Sequence, residues 1–292
     1  MKRGKIGLLY LLPWIIGLVV FTIYPFAAAL YYSFTDYNLI DAPKWVGFQN
    51  YIQLFTVDPD FKNSLIATFQ YVLLTVPLQL IFALLVAFIL NFKLKGISFY
   101  RVAYYIPSLL GGNVAIALLW RLMFSSNGLV NQVLNNLGMK SVSWFSTAGG
   151  AMTVLTILKV WQFGSAMLIF LAALKNIPTE LYEAAEVDGS SKFHMFFSIT
   201  IPLITPTIFF NLVLQLINGF QEFNGPFLIT GGGPLNKTYL VSMLIYNNAF
   251  KYSKMGYSSA ASWILFIIIM LITGILFWSQ KKWVFYSDET GN

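Results

Sequence analysis

Six long runs of apolar residues, separated by shorter polar segments, dominate the chain. The runs cover about 8–34, 66–90, 102–123, 151–174, 199–221 and 260–279. A helix of roughly 20 predominantly apolar residues is long enough to cross the hydrocarbon core of a bilayer, because each residue adds 1.5 Å. The pattern therefore predicts an all-α integral membrane protein with six transmembrane helices, in a single transmembrane domain over residues 1–292.

The composition supports this class. Of the 292 residues, 58% are hydrophobic and 10% are charged, whereas soluble domains are about 45–50% apolar and about 25% charged. The mean hydropathy is +0.70. These values argue against a soluble enzyme or a nucleic-acid-binding protein and indicate a lipid environment. The chain has no cysteine and one histidine, His194, so we expect no disulfide, no metal site and no cofactor bound by this chain.

Lysine and arginine are denser in one set of connecting segments than in the other. The denser, shorter segments hold Lys2, Arg3, Lys5, Lys93, Lys95, Arg101, Lys175, Lys192, Lys281 and Lys282. The longer segments hold Lys44, Lys62, Arg121, Lys140, Lys237, Lys251 and Lys254. The positive-inside rule therefore predicts that both termini are cytoplasmic. The first apolar run exceeds the 7–15 residues of a signal-peptide core, so we expect it to be retained as a helix.

The three loops predicted to lie outside are rich in aromatic and turn residues, as in Trp45–Phe48, Trp144–Ser146 and Gly231–Pro234. Two interpretations are open for these aromatics, namely anchoring at the membrane interface and docking of an external protein. Residues 231–238 come close to a phosphate-binding loop, but Asn236 replaces the second glycine. Such a loop also needs a preceding strand and access to cytoplasmic ATP. We therefore predict a turn here and no ATP site in this chain.

The segment between the fourth and fifth runs predicts a short helix that ends at a glycine. Pro178 and Thr179 suit a helix start, and Gly189 suits a left-handed helix end. Ser190 or Ser191 can cap a second short helix. One face of the first helix carries small residues, with acidic residues around it: Leu181, Ala184, Ala185 and Asp188, then Glu180, Glu183 and Glu186. An anionic membrane surface repels such a helix, so we expect a protein partner on the cytoplasmic side.

This segment resembles the signature of the membrane-spanning permease subunits of binding-protein-dependent ABC importers. The signature is E-A-A, three residues, G, nine residues and I-x-L-P. Here it reads Glu183-Ala184-Ala185, three residues, Gly189, nine residues and Ile199-Thr200-Ile201-Pro202, with Ile201 in place of leucine. Two further segments, Ile229–Pro234 and Leu244–Phe250, resemble the carbohydrate-uptake branch. Within that branch they resemble the first, maltose-transporter-type subunit.

The resemblance implies a set of partners and a mechanism. A second homologous permease subunit completes the pathway, and two cytoplasmic ABC ATPase subunits, which hold ATP and Mg, bind the EAA-loop coupling helix through Glu183, Ala184, Ala185, Asp188 and Gly189, with Pro202 completing the motif. An external solute-binding protein delivers a sugar or oligosaccharide. The implied location is a bacterial or archaeal cytoplasmic membrane, in contact with membrane lipid. The chain itself is then a transport subunit and not an enzyme.

Polar residues within the apolar runs are candidates for the pathway, because an ionisable group in a membrane span is costly and is by default functional. Lys159 lies within the fourth run and Glu222 at the end of the fifth. Aromatic faces, amides and charges together suit a sugar. The resemblance to the family carries the sugar site over to Gly112 or Asn113, Lys159, Gln162, Phe163, Asn218, Gly219 and Glu222. The neighbouring Trp161 and Gln221 complete the predicted substrate pathway.

Several alternatives remain open at this stage. The amides can be packing contacts between helices, and Lys159 and Glu222 can pair with each other, or Lys159 can neutralise an acidic sugar. The alternative function is an ion-gradient-driven secondary transporter of a small polar solute. Such proteins usually contain internal repeats with broken helices at matched positions, and the acidic loop at Glu183 would be unexplained in one.

Overall fold

The computed structural model describes residues 3–92 and 95–285, with side chains described from Tyr10 onward. Lys2 and Lys93, which enter the orientation argument, lie outside the described residues. The main helices are α1 (Arg3–Leu18), α2 (Tyr24–Ser33), α3 (Gln49–Thr56), α4 (Pro59–Asn91), α5 (Ile97–Leu110), α6 (Val114–Met123), α7 (Leu129–Asn136), α8 (Ala148–Trp161), α9 (Gly164–Lys175), α10 (Thr179–Val187), α11 (Lys192–Met195), α12 (Ile201–Phe220), α13 (Val241–Tyr246) and α14 (Met255–Ser279). One two-residue antiparallel ladder pairs β1 (Thr35–Asp36) with β2 (Lys44–Trp45).

Four helical stretches among the described residues are long and apolar enough to cross a membrane: Tyr10–Ser33, Pro59–Asn91, Lys192–Phe220 and Met255–Lys282. Two bent pairs pass the same test together, α5 with α6 at 99° and α8 with α9 at 43°. The predicted helical membrane class is therefore confirmed, with four spans, or up to six if each bent pair is one span. The third and fourth apolar runs, which the sequence pattern treats as continuous, are each divided into two helices.

Local sequence explains the sharper of the two breaks. Gly111 and Gly112 end α5, and Asn113 then caps α6, because its Oδ1 accepts a hydrogen bond of 2.8 Å from the amide nitrogen of Ala115. An asparagine at this position satisfies one of the free amides at a helix start. The glycines and the cap together end one helix and begin the next within three residues.

The described helices belong to two compact units. The first comprises Met1–Lys62 and Val241–Ile267. In it, Phe26 packs on Trp263 with ring centroids 4.6 Å apart, and Gly256 donates a backbone hydrogen bond of 3.0 Å to Tyr37. A Cβ on Gly256 would lie 2.0 Å from the Thr35 carbonyl oxygen, so only glycine fits there.

The second unit comprises Asn63–Leu240 and Ile268–Asn292, and contains most of α4 together with α5 to α12. Small residues let its helices approach closely, as is usual between helices in membranes. A Cβ on Gly164 would lie 2.4 Å from the Tyr104 carbonyl oxygen, and a Cβ on Gly219 would lie 3.3 Å from methyl groups of Val72 and Val76. This division does not test the prediction of one transmembrane domain over residues 1–292, which stays a prediction.

The predicted helix–glycine–helix segment is present in the second unit. α10 begins at Thr179, directly after Pro178. Gly189 follows its end with φ +76°, and the Ser191 side chain caps α11 by accepting a hydrogen bond of 3.2 Å from the His194 amide. Residues 231–238 form turns, as predicted from the sequence.

The first loop predicted to lie outside is an aromatic cluster in the first unit. Phe34 stacks on Trp45 with centroids 5.5 Å apart, and Phe48 meets Phe34 edge-on at 5.2 Å. Trp45 and Phe48 nevertheless expose about two thirds of their surface, 65% and 67%. An exposed aromatic surface fits both interpretations made from the sequence, interfacial anchoring and protein docking.

Candidate functional site

A polar cavity of about 380 Å³ lies in the second unit. Its walls come from α4, α5, the junction of α8 with α9, α12 and the residues that follow α12. The lining residues are Gln79, Ser108, Lys159, Gln162, Ser165, Gln215, Asn218, Gln221, Glu222, Phe223 and Asn224. Six of these eleven side chains are carboxamides, which both donate and accept hydrogen bonds.

The two charged residues of the cavity neutralise each other. Lys159 Nζ lies 2.9 Å from Glu222 Oε2, and the two side chains are 12% and 17% exposed. Glu222 Oε1 also accepts a hydrogen bond of 3.3 Å from the Gly225 amide. Additional hydrogen bonds of this kind help to offset the desolvation of a partly buried ion pair. The pairing interpretation made from the sequence is thus what the structure shows, and an acidic ligand would have to compete with Glu222 for Lys159.

The junction between α8 and α9 is held by side chains of two other helices. The Gln162 carbonyl oxygen, freed at this bend, accepts hydrogen bonds of 3.0 Å from Gln79 Nε2 and of 3.0 Å from Ser108 Oγ. Ser108 Oγ in turn accepts a hydrogen bond of 3.1 Å from the Ser165 amide. Side chains from neighbouring helices commonly satisfy the backbone groups freed at a break in a membrane helix.

The same junction also meets the break between α5 and α6. Gln162 Nε2 donates a hydrogen bond of 3.3 Å to the Gly111 carbonyl oxygen. A Cβ on Gly111 would lie 2.1 Å from Cδ of Gln162, so the glycine is required for this contact. The bends of two broken helices therefore touch at Gln162, on the wall of the cavity.

Five of the ten pathway residues predicted from the sequence line this cavity, namely Lys159, Gln162, Asn218, Gln221 and Glu222. Gly112 borders it, since a Cβ there would lie 3.7 Å from Asn224 Nδ2.

The other four predicted residues have packing or capping contacts in the structure and do not line the cavity. Asn113 caps α6, and Trp161 packs against Trp120 at 5.7 Å. Phe163 is 4% exposed and meets Phe82 edge-on at 4.9 Å. Gly219 is buried against α4.

Sequence reasoning missed Gln79, Ser108, Ser165, Gln215, Phe223 and Asn224 as site residues. The sequence does contain a signal for Gln79 as a site residue, because it is one of two glutamines in the charge-free run 66–90. Ser108 and Ser165 had none, since single serines are common in membrane helices.

A second, larger cavity of about 750 Å³ in the same unit is apolar. It is lined by Gln70, Leu73, Leu74, Leu78, Ala148, Gly149, Met152, Thr153, Thr156, Ile157 and Lys237. Its two threonines bond to carbonyls of their own helix, Thr153 to Gly149 and Thr156 to Met152, both at 2.8 Å. They therefore offer little to a polar ligand.

With this geometry established, the comparison with known proteins identifies the family. Residues 59–283 match the family described as binding-protein-dependent transport system inner membrane component. The chain belongs to this family. It is thus the membrane component, or permease, of a transport system that works with a binding protein, and it crosses the membrane more than once. In such systems the ATPase is a separate subunit, so this permease is a transport subunit rather than an enzyme.

Sequence similarity to other permeases extends along nearly the whole chain. The permease is 46% identical over 291 residues to the probable ABC transporter permease protein YesP of Bacillus subtilis, covering 99% of this chain and 94% of that protein. It is 34% identical over 275 residues to the trehalose/maltose transport system permease protein MalF of Thermococcus litoralis, covering 93% and 92%.

A solved structure shares the fold. The permease aligns with a TM-score of 0.84 and 24% identity to a chain of a bacterial alginate ABC transporter, solved in complex with its alginate pentasaccharide-bound periplasmic protein, and the alignment covers 96% of each chain. At this identity the likeness shows the fold alone.

Proposed function

We propose that this permease carries a saccharide across the cytoplasmic membrane of a bacterium or archaeon as one half of an ABC importer. A second homologous permease forms the pathway with it, an external binding protein delivers the saccharide, and two cytoplasmic ATPases holding ATP and Mg drive the cycle. We count each bent pair as one span and place both termini in the cytoplasm, as the positive-inside pattern predicts. With six spans, this arrangement puts α10 on the cytoplasmic side.

The observation that carries the substrate class is the cavity of carboxamides around a neutralised ion pair. A saccharide presents many hydroxyls, and each hydroxyl both donates and accepts. Carboxamides match this pattern without adding charge, and a few placed polar groups in a concave site confer specificity. Relatives described as transporting starch degradation products, trehalose and maltose, and arabinooligosaccharides support the same class.

The test is uptake by the complete transporter in proteoliposomes, assembled with its ATPase, second permease and binding protein. The panel is maltotriose, trehalose, arabinotriose and trigalacturonate. We expect uptake of at least one saccharide that needs both ATP and the binding protein and that persists with a protonophore present. Uptake that needs an ion gradient instead of ATP would establish the secondary-transporter alternative, and an inactive panel would refute the saccharide class.

The coupling role is assigned to α10 and the glycine after it. The exposed residues here are Glu183, Ala184, Asp188 and Gly189. Another protein can therefore contact both the acidic side chains and the small residues of this segment. The resemblance of this segment to the EAA loop supports contact with the ATPase.

We expect Gly189→Asp to abolish co-purification of the ATPase, or the stimulation of its activity by the loaded binding protein. Gly138→Asp is the matched control, because Gly138 is also exposed, has φ +75°, and follows the end of α7. The two variants introduce the same backbone strain, so equal loss of coupling in both would contradict the role of α10.

A further inference from the structure

Gln79 is a buried residue of the polar cavity with one half of its carboxamide in use. It is 2% exposed, and it lines the cavity on α4. Its Nε2 donates the 3.0 Å hydrogen bond to the Gln162 carbonyl. Its Oε1 is buried and has no hydrogen-bond partner among the described residues.

The orientation of this carboxamide is determined by its one hydrogen bond. A carbonyl oxygen only accepts, so the Gln79 atom that faces the Gln162 carbonyl has to be the nitrogen. The oxygen is therefore directed elsewhere and held there. Buried polar atoms in native proteins nearly always have a partner, and an orphaned acceptor calls for an explanation. The partner that this oxygen lacks is a hydrogen-bond donor.

We propose that Gln79 binds and orients the substrate. Its Oε1 accepts a hydrogen bond from a hydroxyl of the saccharide in the cavity. The inference rests on the proposed function, and it adds a residue of α4 to the site. Because Nε2 of the same carboxamide holds the bend between α8 and α9, a bound saccharide is connected to that bend through a single side chain.

The test is the number of saccharide molecules transported per ATP hydrolysed, measured with the panel saccharide that gives the highest uptake. Gln79→Met keeps the length of the side chain and removes both the Oε1 acceptor and the Nε2 donor to the Gln162 carbonyl. We expect this ratio to fall roughly five- to tenfold, the change that one lost hydrogen bond produces. A purely structural role would lower uptake and ATP hydrolysis together and leave the ratio unchanged, which would overturn the proposal.

Asn211 is the matched control. It is 0% exposed and its Oδ1 also lacks a partner among the described residues, but it does not line the cavity. We expect Asn211→Leu to keep the ratio of the unmodified transporter, and an equal fall in both variants would contradict the assignment. Gln79→Glu, which when protonated offers the same donor and acceptor, is expected to restore the ratio toward the original value.

A labelling measurement covers the case in which Gln79→Met fails to assemble. The chain contains no cysteine, so Gln79→Cys introduces its one thiol. We expect a methanethiosulfonate reagent to label it and the transported saccharide to protect it, with labelling read from the mass of this chain. Equal labelling with and without saccharide refutes the contact. If the unmodified transporter moves none of the panel, the proposed function fails first, which separates the two outcomes.

Discussion

The polar and the apolar cavity of the second unit share walls but differ in chemistry. Both use α4 and α8, yet the larger, of about 750 Å³, is lined mostly by leucines and other apolar side chains, and the smaller, of about 380 Å³, by six carboxamides and an ion pair. Gln79 of α4 lines the polar cavity, while Leu78 beside it lines the apolar one. Volume alone would select the apolar cavity. The chemistry of the lining groups identifies the one that suits a hydroxyl-rich ligand.

The largest expected effect comes from removing one partner of the ion pair. Lys159→Met leaves the Glu222 carboxylate without its counter-charge. Breaking a buried pair in this way costs about 3–5 kcal/mol, and we expect the lower end of that range because this pair is only partly buried. We expect a lower thermal midpoint of the purified complex and uptake reduced at least about tenfold.

The double variant Lys159→Met, Glu222→Leu then separates two roles of the pair. We expect it to recover the thermal midpoint without recovering uptake, because the charges also line the polar cavity. Recovery of both would show that the pair serves assembly only, and the contrast between the two cavities would then rest on the carboxamides.

A methyl group added beside the wall of each cavity provides the next comparison. Gly111→Ala places a Cβ 2.1 Å from Gln162, and overpacking of this kind typically costs about 1–3 kcal/mol. Gly149 lines the apolar cavity in α8 and has open space at its Cβ position among the described residues. We expect Gly149→Ala to leave stability unchanged or slightly raised, since alanine favours the helix.

Uptake and the thermal midpoint check this pair of variants. We expect both to fall for Gly111→Ala only. Full activity of Gly111→Ala would show that the contact of the two bends at Gln162 is not needed for transport.

The smallest expected effects come from removing a single hydroxyl group beside each cavity. Ser108→Ala removes the hydrogen bonds that its hydroxyl makes to the Gln162 carbonyl and the Ser165 amide, and we expect uptake to fall roughly three- to tenfold. Thr156→Val removes a hydroxyl that bonds only within α8, and we expect uptake within about twofold of the original. Initial uptake rates at saturating binding protein measure both, and a stronger effect of Thr156→Val would reverse the assignment of the two cavities.

The sequence by itself determined the membrane class, the helical secondary structure, the helix and glycine of residues 179–189, and the resemblance to the family. These features depend on local properties. Lipid cannot satisfy backbone polar groups, so a long apolar run has to be helical, and a left-handed helix end favours glycine wherever it occurs.

Only the tertiary structure decided which polar residues meet. The run 102–123 reads as one helix, but Gly111 and Asn113 divide it, and Asn113 is used as a cap instead of as a cavity residue. Lys159 and Glu222 are 63 residues apart and pair only because two helices are brought together. The role of a polar side chain in a membrane helix depends on what faces it, and that is set by helix packing and not by the neighbouring residues along the chain.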